Sequence, residues 1–263
     1  MSKPNTALFV KATLSMYLDC IKKASLSLYK NWLIIFASVI AYLAFVYSFR
    51  LFAPLGVGGG FLAGLVHIAL LSIYYSWISD IVKKEDLTLK KLIVLDYSMF
   101  FNVISVAFIL FIAKYLVSAV VESSGAPWIG ELFQFGIVII FNAIPEVIYL
   151  HRYESIPALG HAATFTRENW IEWFLPLVII LSPLLILNPN FVLKLIAQSS
   201  ELLPALMIAH GWKILAAFHE DFIAIGLTLI GILLGNWIML FRANLFLELE
   251  SGTRRKRMYN AKQ

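Results

Sequence analysis

Leu33-Ile34-Ile35-Phe36-Ala37-Ser38-Val39-Ile40-Ala41-Tyr42 carries no charge and shows no alternation of apolar and polar side chains. A membrane barrel strand alternates with period two, so this run reads as helix. Five stretches of the same character follow it. The set is Trp32–Phe49, Leu55–Ile78, Tyr97–Ala113, Trp128–Leu150, Trp170–Leu187 and Phe222–Phe241. Each approaches the 17–25 residues that a helix needs to cross ~30 Å of hydrocarbon. Backbone polar groups in lipid must be satisfied within their own segment, which also favours helices.

Composition points the same way. The chain of 263 residues is 60% hydrophobic and only 14% charged, whereas a soluble domain carries about 25% charged residues. The reading is an all-α polytopic membrane protein, one integral domain over 1–263, built as three transmembrane hairpins. Placing the N-terminus in the cytoplasm with six spans leaves only Arg50, Lys114, Lys194 and Lys213, of the 21 basic residues, on the far side. That asymmetry predicts both termini in the cytoplasm. It also decides against a seventh span at Leu202–Phe218, which would carry Arg254-Arg255-Lys256-Arg257 outward. An interfacial or re-entrant helix on the outer face, bent by Pro204 and Gly211, is expected there. No cleavable signal sequence is expected from the polar first residues.

Outside the spans, Val10, Leu14, Tyr17, Leu18, Ile21 and Leu28 share one helical face, with Lys11, Ser15, Asp19 and Lys22 on the other. Such a helix suits the headgroup plane, its basic face toward anionic lipid. It ends in Lys30-Asn31-Trp32, where the first span begins. The segment Ala162–Trp170 enters the fifth span through a second Asn-Trp pair, Asn169-Trp170, and Trp anchors well at an interface. Ile81–Leu95, rich in lysine, leads into the third span. The expected unit is a cytoplasmic surface helix followed by a hairpin, used three times.

This layout, with its Asn-Trp entry, resembles YciC-like bacterial inner-membrane proteins and the membrane domain attached to some glycerophosphodiester phosphodiesterases. The resemblance implies a multi-pass inner-membrane fold and lends no catalytic residues. The hydrolase domain of some such proteins has no counterpart among these residues.

Ionisable groups inside a span are costly and point to function. Glu146 lies in Phe141-Asn142-Ala143-Ile144-Pro145-Glu146, with Asn142 one turn away on the same face. Pro145 donates no amide hydrogen, so a carbonyl one turn earlier is freed. These groups suit a cation, a proton or a neighbouring helix. Equally, Glu146 can snorkel to the interface or pair with Arg152. His67 is the one mid-span histidine and has no second imidazole at its depth for a haem. It reads as a polar contact, and Asn102 and Asn236 read as interhelical hydrogen-bonding groups. Gly56, Gly60 and Gly64, and again Gly231 and Gly235, recur every four residues, a spacing that lets helix backbones approach closely.

Cys20 is the only cysteine, which removes disulfides and cysteine-based metal clusters. Glu201, Glu220 and Asp221 near His210 and His219 match no metal-ligand spacing. No His-Glu-x-x-His, Gly-x-Ser-x-Gly or P-loop occurs. No cofactor or metal is expected, and no nucleic acid: the net charge of +5 reflects orientation and anionic lipid. The amphipathic stretch Ala243–Glu250 and the basic tail behind it are expected at that lipid surface.

Three classes of function remain. A non-catalytic subunit or scaffold of a membrane complex, partnered by other membrane subunits or by itself, accounts best for glycine faces without catalytic motifs. A transporter with its polar site at Asn142 and Glu146 comes second. A membrane-embedded enzyme acting on lipid comes third, drawing on Glu146, His151, Arg152, Glu154, His161 and Glu168.

Overall fold

The computed structural model describes residues 6–187 and 221–252. The expected outer helix at Leu202–Phe218, the residues Glu201, Glu220, His210 and His219, and the basic tail Arg254–Arg257 lie outside them. All regular structure among the described residues is helical. The helices are α1 (Thr6–Lys30), α2 (Leu33–Phe52), α3 (Gly56–Val82), α4 (Tyr97–Ser124), α5 (Pro127–Ile140), α6 (Ile144–His151), α7 (Ser155–Leu187) and α8 (Asp221–Ser251). Among the described residues, four stretches are long and apolar enough to cross a membrane: Leu33–Val82, Tyr97–Ser123, Trp128–His151 and Leu229–Ser251.

The first of these stretches is 50 residues long, about twice what one crossing needs. It folds back on itself. Phe45 and His67, equidistant in sequence from Gly56, pack with ring centroids 4.7 Å apart. Gly56 takes a positive φ of 57° at the reversal, a conformation that glycine adopts at no steric cost. Close by, a Cβ on Gly59 would stand 1.8 Å from the Phe52 carbonyl oxygen, so only glycine fits.

The two Asn-Trp pairs perform the same local task. The Asn31 amide donates to the Ser27 carbonyl at 3.1 Å, and the Asn169 amide donates to the Phe165 carbonyl at 3.1 Å. The chain breaks helical geometry at both places: α1 ends at Lys30, and α7 kinks at Asn169 (φ −118°, ψ 18°). Trp32 and Trp170 are both exposed beside the break. Asn31 does more, because its side-chain oxygen also accepts the buried Leu87 N–H at 2.9 Å.

Leu87 belongs to the stretch that departs from expectation. Ile81–Leu95 is not a surface helix: α3 ends at Val82 and the rest is turns and irregular chain. Lys84 adopts a left-handed φ of 65°, and the Glu85 N–H reaches back to the Asp80 carbonyl at 2.9 Å. That closure terminates a helix firmly. Beyond it, Lys91 pairs with both Asp80 and Glu85, the Trp77 indole donates to the Lys91 carbonyl at 3.3 Å, and Asp96 caps α4 by accepting from the Met99 N–H. Leu89 and Ile93 are left exposed, so the segment has no continuous apolar face to bury as a helix.

Helix α1 differs in another way. It packs against α8 with Met16, Tyr17, Cys20, Ala24 and Leu28 buried. Lys23 bridges to Glu248 at 2.6 Å, and the Trp237 indole donates to Ser25 at 3.0 Å. Of the six residues grouped by sequence, Tyr17 and Leu28 face inward, while Val10, Leu14, Leu18 and Ile21 form an outward apolar stripe. The stretch Ala243–Glu250 is likewise continuous α8 helix, and Ala243, Leu245, Phe246 and Leu249 are core residues.

The core occupies one end of the bundle. It gathers α1, the start of α2, the last half of α3, the first halves of α4 and α7, the end of α5, all of α6, and the last half of α8. Burial there pushes the Cys20 thiol up to about 12, and the carboxylate of Glu248 acts in the same direction. The thiolate is the nucleophile, so at pH 8 the buried thiol stays protonated and unreactive. A thiol reagent at pH 8 is therefore expected to leave native, detergent-solubilised protein unmodified and to label it fully in denaturant. Equal labelling rates in the two conditions would refute the packing of α1 on α8.

Candidate functional site

The apolar stretch Trp128–His151 is interrupted. Helix α5 ends at Ile140, three residues turn, and α6 starts at Ile144 with Pro145 in its first turn. The carbonyl expected to lie free, that of Phe141, accepts the Ile144 N–H at 3.0 Å. It is the Asn142 carbonyl that points to a side chain, accepting Arg242 Nη2 at 2.7 Å. Arg242 sits on α8, one residue past the expected end of the sixth span, where sequence assigns it to topology alone.

Arg242 closes on both Asn142 and Glu146, the two residues singled out by sequence. Its Nε and Nη2 donate to the two oxygens of Glu146 at 2.8 and 3.0 Å. Its Nη1 donates to Asn142 Oδ1 at 2.8 Å. The planar guanidinium fork matches a carboxylate in this two-bond geometry, which lysine cannot reproduce. Asn142 Oδ1 also accepts the Trp173 indole N–H at 3.0 Å, and the Trp173 ring lies 4.5 Å from the guanidinium carbon, within range of a cation–π attraction. Tyr149 donates to Glu146 Oε1 at 3.3 Å.

The cluster thus joins α6, α7, α8 and the break before α6. Glu146 is fully buried, and Asn142 and Arg242 nearly so. Every side-chain oxygen of Asn142 and Glu146 accepts at least one bond from within the chain. Such an arrangement holds helices together, with three bonds from the chain's own side chains on the carboxylate.

Arg152, the other partner considered for Glu146, is engaged elsewhere. Its guanidinium pairs with Asp96, and its carbonyl accepts from Asn102 at 3.0 Å. Burial pushes the Asp96 carboxyl up, but bonds from Arg152 and the Met99 N–H outweigh it and hold the group below the usual carboxylate range. Asn236 accepts from Ser38 at 3.1 Å, tying α8 to α2. His67 rests on Phe45 inside the α2–α3 hairpin and is remote in the chain from the Glu146 cluster.

The glycines divide. Gly231 and Gly235 are buried on α8. Around Gly56, Gly60 and Gly64 there is open space: no described neighbour lies within 4 Å of where a Cβ would stand. That stripe makes no close helix contact among the described residues.

Removing one member of a buried ion pair strands the other, at about 3–5 kcal/mol, whereas replacing both by apolar groups is often neutral. Arg242→Met and Glu146→Gln are each expected to lower the thermal midpoint in detergent, read by Cys20 becoming reactive. The double variant Glu146→Leu/Arg242→Met is expected to recover the part of the loss due to the stranded charge, while the Asn142 carbonyl still lacks Arg242. A double variant as unstable as the singles would show that the pair has a role beyond neutralising its own charges.

Compared with known proteins, the chain matches no family model, no curated protein and no solved structure.

Proposed function

We propose that this chain is a non-catalytic integral membrane subunit or scaffold. It crosses the membrane six times as three hairpins, with both termini in the cytoplasm of a bacterial cell. The observation that carries this reading is the closure of the polar cluster. A transported cation or proton needs a carboxylate whose charge is not already cancelled, and Glu146 is answered on both oxygens by Arg242. An enzyme needs convergent groups that face substrate, and this cluster faces its own helices.

The threading is supported by the basic-residue asymmetry and by α1. Its outward stripe of Val10, Leu14, Leu18 and Ile21 lies beside Lys11 and Lys22, the pattern of a helix half-sunk in an anionic headgroup layer. The two matching Asn-Trp breaks support a repeated entry from surface helix into span. The second unit uses a pinned loop where the first and third use helices.

A partner is supported by the open glycine stripe. Gly56, Gly60 and Gly64 remain on a helix whose neighbouring surface exposes Val57 and Phe61. Small residues at this spacing admit another helix at close range, from a second copy or a different subunit.

The interrupted fourth span also favours a second reading, since transporters place binding sites at broken helices. In that reading the Arg242 clasp opens during the cycle, and Glu146→Gln abolishes transport while assembly persists.

The subunit reading predicts that protein extracted in mild detergent has a mass, by light scattering, greater than one chain of 29.7 kDa. Gly60→Leu should reduce it to a single chain without loss of helicity. A single-chain mass for the unaltered protein, or an assembly indifferent to leucine at position 60, would count against it.

A further inference from the structure

Three ligand-type side chains converge where α6, α7 and α8 meet, away from the Arg242 cluster. His151 is the last residue of α6, His161 lies two turns into α7, and Glu250 stands in the final turn of α8. The Nε2 atom of His151 is 2.6 Å from Glu250 Oε2, and that of His161 is 2.9 Å from Oε1. The three ligand atoms all lie within 4.8 Å of one another. We propose that they form a binding site for a divalent transition metal ion of the zinc class.

The donor set suits that chemistry. Two imidazole nitrogens and one carboxylate oxygen are a recurring three-ligand zinc set, with water in the fourth position. Each side chain is about one third exposed, so one side of the site is open for that water and for metal entry. Tetrahedral ligands at about 2.0 Å from zinc stand roughly 3.3 Å apart, so the carboxylate withdraws by a few tenths of an ångström from each imidazole, and the two imidazole nitrogens close from within their 4.8 Å limit. Glu250 is one residue from the end of α8 and is on a flexible stem.

The imidazoles are also held in place. Tyr153 stacks on His151 at 5.6 Å and meets His161 edge-on at 5.3 Å. Phe246, one turn before Glu250, lies 5.7 Å from His151 and 6.4 Å from His161. Left-handed residues at Arg152 and Ser155 make the tight reversal that brings His161 back beside His151. The Asn102 bond to the Arg152 carbonyl and the Ser155 N–H bond to Ser105 at 3.0 Å anchor that reversal to α4. Ring packing and the anchored reversal together restrain the orientation of both imidazoles, as a metal site requires of its ligands.

A bound ion would link the ends of the same three helices that Arg242 joins from within. The site is independent of the proposed subunit role, since a scaffold, a transporter or an enzyme would each accommodate it. The test uses the full chain, purified with a tag free of histidine and titrated with zinc chloride by calorimetry. Cobalt(II) replaces zinc for visible absorption.

The expected result is one ion per chain, a raised thermal midpoint, and a cobalt spectrum of four or five coordination. His151→Asn, His161→Asn and Glu250→Gln should each weaken binding at least about tenfold. Each is close in size to the residue replaced and keeps hydrogen-bonding capacity, and circular dichroism checks the fold. His67→Gln and the double variant His210→Ala/His219→Ala should bind as the unaltered chain does. Absence of saturable one-to-one binding overturns the proposal. So does binding that survives all three ligand substitutions or disappears in the His210/His219 variant.

Discussion

A guanidinium and a carboxylate buried together form the constraint around which this bundle is arranged. Helix α6 is only eight residues long, too short to be stable by its own hydrogen bonds. Its residues Ile144 to Tyr149 are all buried, and it is surrounded by α3, α4, α7 and α8. A short helix with a broken lead-in exposes unbonded backbone groups, and in an apolar interior each costs several kcal/mol. Arg242 answers that cost at the break by taking the Asn142 carbonyl, the Asn142 side chain and both oxygens of Glu146 at once. Four of its five N–H donors are spent there. The helix that carries Arg242 must therefore lie beside α6 in one register, and α1, packed along α8, follows it.

The pair also explains where the core sits. Polar groups that satisfy one another directionally fix neighbours more narrowly than apolar surfaces do. Buried tyrosines, tryptophan and small residues collect around the cluster, with Tyr75 on Tyr149 at 5.4 Å and Trp173 on Phe165 at 5.1 Å. Further along the same helices the side chains turn outward: Phe108, Phe111, Tyr115 and Leu116 of α4 are exposed. In water this would be a liability, but beside lipid it is the ordinary condition of a spanning helix, because lipid tails are as apolar as the side chains.

Much of this was legible in the sequence, and the limits have physical causes. The long uncharged runs identify helices because nothing in them competes, and Asn142 with Glu146 stands out because polar residues are rare within such runs. Arg242 escaped notice because a basic residue at a span's edge has a sufficient explanation in topology. What betrays it is the amphipathic continuation Ala243–Glu250, which means the helix does not stop there. Trp173 was hidden for a similar reason, since a tryptophan near a span's start reads as an interface anchor. The loop after α3 departs from the sequence expectation because Lys84, a residue with no special turn preference, adopts the left-handed conformation that ends the helix. His151, His161 and Glu250 come together from three helices, the glutamate 89 residues beyond His161, and no linear spacing can announce such a meeting.

The two Asn-Trp pairs show how a local sequence sign acquires meaning only through its surroundings. Asparagine binding a carbonyl four residues back also occurs at Asn236 and Asn244, within the continuous helix α8. The bond by itself therefore does not break a helix. At Asn31 the break is fixed by a second partner, the buried Leu87 N–H, which draws the loop after α3 under the junction of α1 and α2. At Asn169 it coincides with the point where α7 passes Tyr17 of α1, whose hydroxyl donates to the Glu172 carbonyl at 2.7 Å. In both places a contact from a distant segment coincides with a change of direction that the asparagine alone does not impose. Two equivalent dipeptides thus serve two differently built corners, so a repeat in sequence need not be a strict repeat in structure.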